Sequence, residues 1–107
     1  MANLSTMVPD PGAREKFERL VGEWESATRF TSSVHQASMD RAYQQIIGMG
    51  PSALPLIFER LRKAPEHWFW ALQAITGEDP VAPEHEGDIE KMRADWLRWA
   101  RSHLLAG

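Results

Sequence analysis

The stretch Ile46-Ile47-Gly48-Met49-Gly50-Pro51-Ser52-Ala53-Leu54-Pro55-Leu56-Ile57-Phe58, continued by His67-Trp68-Phe69-Trp70-Ala71-Leu72-Gln73-Ala74-Ile75-Thr76-Gly77, decides how this chain folds. It is dense in strongly apolar side chains and holds two of the five tryptophans, with Gly and Pro where helices start and stop. Pro51 fits the first turn of a helix, where a missing N–H costs nothing. Pro55 comes four residues later and would cost up to ~3 kcal/mol inside a regular helix. The spacing therefore predicts a tight 3₁₀ first turn over 51–54, after which a regular helix carries Leu54, Ile57, Phe58 and Leu61 inward. Arg60, Arg62 and Lys63 close that helix at the negative end of its dipole. Pro65 is expected to open the answering helix and Gly77 to end it, with Trp68, Ala71, Leu72 and Ile75 as its inward stripe. Trp70 lies about 200° from Trp68 at roughly 100° per residue, so it shares a face with His67 and Ala74 instead. Either a neighbouring helix covers that face, or Trp70 stands at the surface as an interaction residue.

Working outward toward the N-terminus, Asp10-Pro11 reads as a helix start, the Asp capping and the Pro in the first turn. Ala13, Phe17, Leu20, Val21 and Trp24 follow at helical spacing, and this helix is expected to run to about Ser26. Residues 1–9 show no period and are expected to form an extended arm. The Ser- and Thr-rich segment 28–38 reads as a loop from which Phe30 and Val34 dip into the core. Ser38 is expected to cap a second helix with Met39, Ala42, Tyr43, Ile46 and Ile47 on one face, ended by Gly50 in a left-handed conformation. Gly48, in its last turn, weakens that helix unless a neighbour packs against the bare backbone.

Toward the C-terminus, 78–87 carries acids, two prolines and His85, and reads as an extended connector. Asp88 or Gly87 then caps a last helix burying Ile89, Met92, Trp96, Trp99, Ala100, His103 and Leu104, with Leu97 broadening the stripe.

The run Met49-Gly50-Pro51-Ser52-Ala53-Leu54-Pro55-Leu56-Ile57 followed by Trp70-Ala71-Leu72-Gln73-Ala74-Ile75-Thr76-Gly77 resembles a HEAT-like helical pair, as in small bacterial HEAT-like proteins of unassigned function. Trp96-Leu97-Arg98-Trp99 is similar to the Trp-rich terminal helix that often follows such a pair, so the likeness covers 43–99. It implies a module that binds other proteins, occasionally nucleic acid, and rarely catalyses. Only one clear unit is present. Since stacked arrays need about three repeats or caps, the first and last helices are expected to serve as caps.

Composition bounds the chemistry. At 107 residues the chain has the size of one domain, able to bury roughly 60–70% of its unfolded surface. Five tryptophans in so short a chain predict an aromatic core. The absence of cysteine excludes disulfides and thiolate chemistry and fits a reducing cytoplasm. A net charge of −3 with interspersed signs argues against a stand-alone nucleic-acid binder. The first residues have neither a basic start nor a continuous apolar run, so no signal peptide is expected. The longest uncharged run, 42–58, is too broken by Gly and Pro to cross a membrane.

No catalytic pattern emerges. His35, His67, His85 and His103 lack the i, i+4 spacing that puts two metal ligands on one helix face. Glu66 and His67 sit where an acid is expected at a helix start. The acids Glu78, Asp79, Glu84, Glu86, Asp88 and Glu90 lack calcium-loop spacing and read as a solvated loop or a patch that meets a basic partner. No nucleophile elbow or phosphate loop is present.

The expectation is an all-α single domain of about five helices around a HEAT-like hairpin. Its expected function is a non-catalytic protein–protein interaction or regulatory module, of the antitoxin or adaptor type in a bacterial two-component system, using no cofactor or metal. Its partner is another protein or a second copy, met through His67, Trp70, Glu84 and Glu86. Two alternatives stand beside it: a small enzyme or ligand-binding domain with a pocket near His67 and His103, and a weak nucleic-acid binder using Arg60, Arg62, Lys63, Arg98 and Arg101.

Overall fold

The computed structural model describes residues 11–31 and 33–103. Among these the chain is all-helical, with five helices of eight residues or more and one shorter. They are α1 (Pro11–Ala27), α2 (Val34–Ser38), α3 (Arg41–Gly48), α4 (Leu54–Lys63), α5 (Phe69–Thr76) and α6 (Ile89–His103), with 3₁₀ turns at Gly50–Ala53 and Pro83–His85. The expected Asp10 cap, the arm over 1–9 and Leu104 lie outside the described residues.

The central hairpin follows its proline arithmetic. The 3₁₀ turn ends at Ala53 and α4 restarts at Leu54, so Pro55 is the second residue of a new helix and removes no intrahelical bond. Gly50 at φ 68° and Gly77 at φ 73° end α3 and α5 in the left-handed region, where a Cβ would be strained. No neighbour packs against Gly48, since a Cβ there would meet nothing within 4 Å, so its cost to the last turn of α3 stands uncompensated.

α1 packs on α3, α3 on α5, and α4 on α6. The α1 stripe buries Phe17, Leu20, Val21 and Trp24 as its spacing requires. α4 buries Leu56 as well as Leu54, Ile57, Phe58 and Leu61, packed between α6 and the 3₁₀ turn that leads into it. The fully buried Trp68 is the hub. Its ring stacks on Tyr43 at 5.5 Å and 6°, and lies 4.8 Å from Trp24 and 5.9 Å from Phe17. Tyr43 completes the join. Its hydroxyl accepts from Ala71 N at 3.0 Å and donates to His67 O at 3.2 Å, giving α5 the N-terminal cap that no side chain of its own supplies. Burial holds that phenol above its ordinary titration range.

Four local expectations are corrected. α5 starts at Phe69 and not at Pro65, because Glu66 bonds both Arg60 Nε at 2.9 Å and Trp68 Nε1 at 2.7 Å. A side-chain contact between residues two apart is incompatible with a helix, where such positions face apart. α3 is capped by Asp40, whose Oδ1 accepts from Ala42 N at 2.9 Å, while Ser38 is buried and donates to His35 O. Met39 therefore falls between two helices and is exposed. Phe30 and Val34 do not enter the core, as detailed below. His103 is exposed at the end of α6, stacked on the half-buried Trp99 at 4.4 Å.

Gly22 sits mid-α1, on the exposed side, with a negative φ and no atom within 4 Å of a built Cβ. Gly22→Ala should therefore raise stability by about 0.5–1 kcal/mol by removing unfolded-state freedom, read as a higher urea midpoint with an unchanged slope.

Candidate functional site

The described residues expose four large apolar side chains: Phe30 (94%), Met39 (54%), Trp70 (50%) and Val34 (49%). Three fall within ten residues of one another, on the α1–α3 connection that contains α2. The fourth, Trp70 on α5, meets α2 at His35, whose ring lies edge-on to the indole at 6.4 Å and 84°.

The connection is held by hydrogen bonds to its backbone and by its small side chains, not by its large apolar ones. Trp24 Nε1 donates to Ala37 O at 2.8 Å and Gln44 Nε2 to Ser38 O at 2.7 Å, so side chains of α1 and α3 satisfy carbonyls that α2 leaves open at its end. Ser33 Oγ accepts from Gln36 N at 3.2 Å at the other end. Upstream, Thr28 N and Oγ1 both bond Trp24 O, and Thr31 N bonds Thr28 O. A segment fixed in this way turns its polar backbone inward and leaves Phe30 and Val34 outside. The expected inward dip fails because the backbone bonds take the interior side.

Trp70 stands on α5 with Gln73 and Ala74, the i, i+3 and i+4 positions of one exposed face. These three line an open depression of about 260 Å³. His67 does not share that face: it precedes the helix, and its ring meets Phe69 edge-on at 6.3 Å. Glu84 and Glu86 are exposed in and after the 3₁₀ turn of the connector. Among the described residues no hydrogen bond, ion pair or ring contact joins either acid to His67 or Trp70. Of the four residues singled out from the sequence, only Trp70 is a large exposed apolar side chain. His35, Phe30, Val34 and Met39 were missed.

A second constellation was also missed. Asp95, on α6, is 2% exposed and accepts from His85 Nδ1 at 2.6 Å, Ala82 N at 3.1 Å and Arg98 Nη1 at 3.1 Å. Hydrogen bonding to His85, with help from Ala82 and Arg98, holds this carboxyl below the usual carboxylate range against the opposing effect of burial. An ionised carboxylate only accepts, so the Nδ1 of a neutral His85 carries the proton and its Nε2 is a lone-pair acceptor. This orients an imidazole as a general base would be oriented. Its demonstrable work is mechanical, because it fixes the connector, with the buried Val81, onto α6.

The cations proposed for nucleic acid are partly committed. Arg60 holds Glu66 at 2.9 Å and Glu25 at 3.2 Å, and Arg98 holds Asp95. Arg14 grips Glu59 bidentately at 3.0 and 2.8 Å and keeps that carboxyl below its ordinary range. Among the described residues no group of three or more His, Cys, Asp or Glu could hold a metal ion, and no helix is long and apolar enough to cross a membrane. Comparison with family models, with curated proteins and with solved structures yields no match.

Proposed function

We propose that this chain is a non-catalytic protein–protein interaction module, of the antitoxin or adaptor kind in a bacterial two-component system, that acts in the cytoplasm by covering a surface of its partner. The HEAT-like character of the hairpin belongs to the same proposal. The carrying observation is that Phe30, Val34 and Met39 on the α1–α3 connection and Trp70 on α5 stand exposed, with carbonyls of the connection already bonded to side chains of α1 and α3. Exposed apolar side chains on a preordered backbone lose little conformational freedom on binding, and aromatics such as Phe30 and Trp70 are the usual energetic anchors of an interface.

The test is affinity purification from the native host with wild-type protein and with Phe30→Ser/Val34→Ser/Trp70→Ala, followed by titration of the recovered partner. The variant should retain helicity and a stability within about 0.5 kcal/mol, because none of the three side chains is in the core. Its affinity should fall at least about tenfold. A partner recovered equally by both proteins would refute this face.

A further inference from the structure

The connector between α5 and α6 is fixed at its two ends and attached in between at one place. Thr76 Oγ1, at the end of α5, accepts from Glu78 N at 3.1 Å, and Asp88 Oδ1 accepts from Lys91 N of α6 at 3.2 Å. Among the described residues, every hydrogen bond that runs from 79–86 to a helix ends on a single atom, Asp95 Oδ2, which accepts from Ala82 N at 3.1 Å and His85 Nδ1 at 2.6 Å. The other bonds of the segment are local: Asp79 Oδ1 accepts from Val81 N, Ala82 O from His85 N, Pro83 O from Glu86 N and His85 O from Asp88 N. Val81 is its one buried side chain.

Two further features make 79–86 a body of its own. Pro80 and Pro83 restrict its backbone, and the 3₁₀ turn Pro83–His85 holds its shape without help from a helix. Glycines in the left-handed region bound it, Gly77 at φ 73° and Gly87 at φ 87°. Motion of a segment is absorbed by φ and ψ changes at a few positions near its ends, and glycine makes them at the least steric cost. Lifting 79–86 uncovers one valine and returns one carboxylate and its donors to water, so no polar group is left buried without a partner. The ring contacts that join the helices do not involve the segment.

We infer that 79–86 is a hinged strap, latched on Asp95, that opens as one unit while the helices stay folded. Regions held by few buried contacts open at lower free energy than the core. Closed, the strap hides the Asp95 carboxylate and the seat of Val81; open, it presents them on α6 beside Arg98, a surface that the closed form lacks. The device is independent of the proposed interaction face.

Because the chain has no cysteine, a single introduced thiol reports the opening. In Val81→Cys the thiol should react with an alkylating reagent at least about tenfold faster than in Ala71→Cys, a fully buried position on α5, and at a rate that urea does not change below the unfolding transition. The rate for Ala71→Cys should climb with urea. Adding Asp95→Ala to Val81→Cys should speed labelling at least about tenfold, with helicity unchanged. Amide exchange of the wild type is a second measurement, free of any change at Val81: the Ala82, His85 and Glu86 N–H groups should share one opening, insensitive to urea and ahead of the amides of α4 and α6. Equal thiol rates with equal urea slopes, strap amides that exchange only with global unfolding, or a loss of helicity with Asp95→Ala would make the connector part of a single cooperative unit and overturn the strap. A labelling rate indifferent to Asp95→Ala would overturn the latch.

Discussion

Trp68→Ala is expected to cost about 3–5 kcal/mol of folding stability, among the larger effects of any single substitution in this chain. The indole is fully buried and touches rings from two helices, Phe17 and Trp24 of α1 and Tyr43 of α3. Removing it leaves a void walled by large, rigid side chains that cannot close over it, so transfer and cavity costs add. The hydrogen bond matters less: Glu66 keeps both bonds to Arg60 when Trp68 Nε1 is gone. Trp68→Phe should therefore cost much less than Trp68→Ala, about 1–2 kcal/mol, since it keeps most of the ring packing. Urea denaturation followed by far-ultraviolet circular dichroism reads both. Against a total stability of about 5–15 kcal/mol, the Ala variant sits near its unfolding threshold at 25 °C. A cost below about 1 kcal/mol for Trp68→Ala would mean that this aromatic cluster is not what joins α1, α3 and α5.

The fold was legible where one physical rule acted without competition. Pro51 and Pro55 together forced a 3₁₀ turn before a regular helix, and the turn lies at Gly50–Ala53 with α4 starting at Leu54. The α1 stripe and the left-handed Gly50 and Gly77 followed from period and backbone freedom alone. Legibility ended where side chains took over the work of the backbone. Nothing in the composition of 28–38 says that Trp24 and Gln44 reach across to bond Ala37 O and Ser38 O, and those bonds turn Phe30 and Val34 outward. The same competition moved the start of α5 from Pro65 to Phe69, because Glu66 was drawn into contacts with Arg60 and Trp68.

The candidate site was half legible for a related reason. Trp70 was singled out by an angle measured from Trp68, which left a covered or an exposed face open; the structure exposes it, although Trp68 itself lies ahead of the helix. Its association with His67 failed because His67 lies before the helix, where the wheel does not apply. Asp95 had a signal that went unread. It falls three residues after Met92 and four before Trp99, inside the apolar stripe of α6, and an acid in that position must find donors or stay out of the core. It finds three.

Replacing that acid is the second large effect. Asp95→Ala should cost about 2–3 kcal/mol, because it strands the Ala82 amide and the His85 imidazole that the carboxylate now satisfies. Asp95→Asn should cost roughly half as much, since Ala82 N and His85 Nδ1 bond the same oxygen, Oδ2, and an amide oxygen placed there keeps both while the amide N–H₂ loses only the bond from Arg98. His85→Ala should cost only about 1 kcal/mol, its ring being partly exposed, and combined with Asp95→Ala it should be less than additive. The acid dependence separates charge from packing. The folded carboxyl titrates below its ordinary 3.8, so its stabilisation is complete above the unfolded value, about pH 4, and is lost as pH falls through the folded one. Glu59, held low by Arg14, adds a slope of the same sign, so the informative quantity is the difference between wild type and Asp95→Asn. That difference should shrink below about pH 4 in urea titrations at fixed temperature. If the two curves instead run parallel into acid, the connector is held on α6 by the burial of Val81, and the Asp95 carboxylate contributes shape without charge.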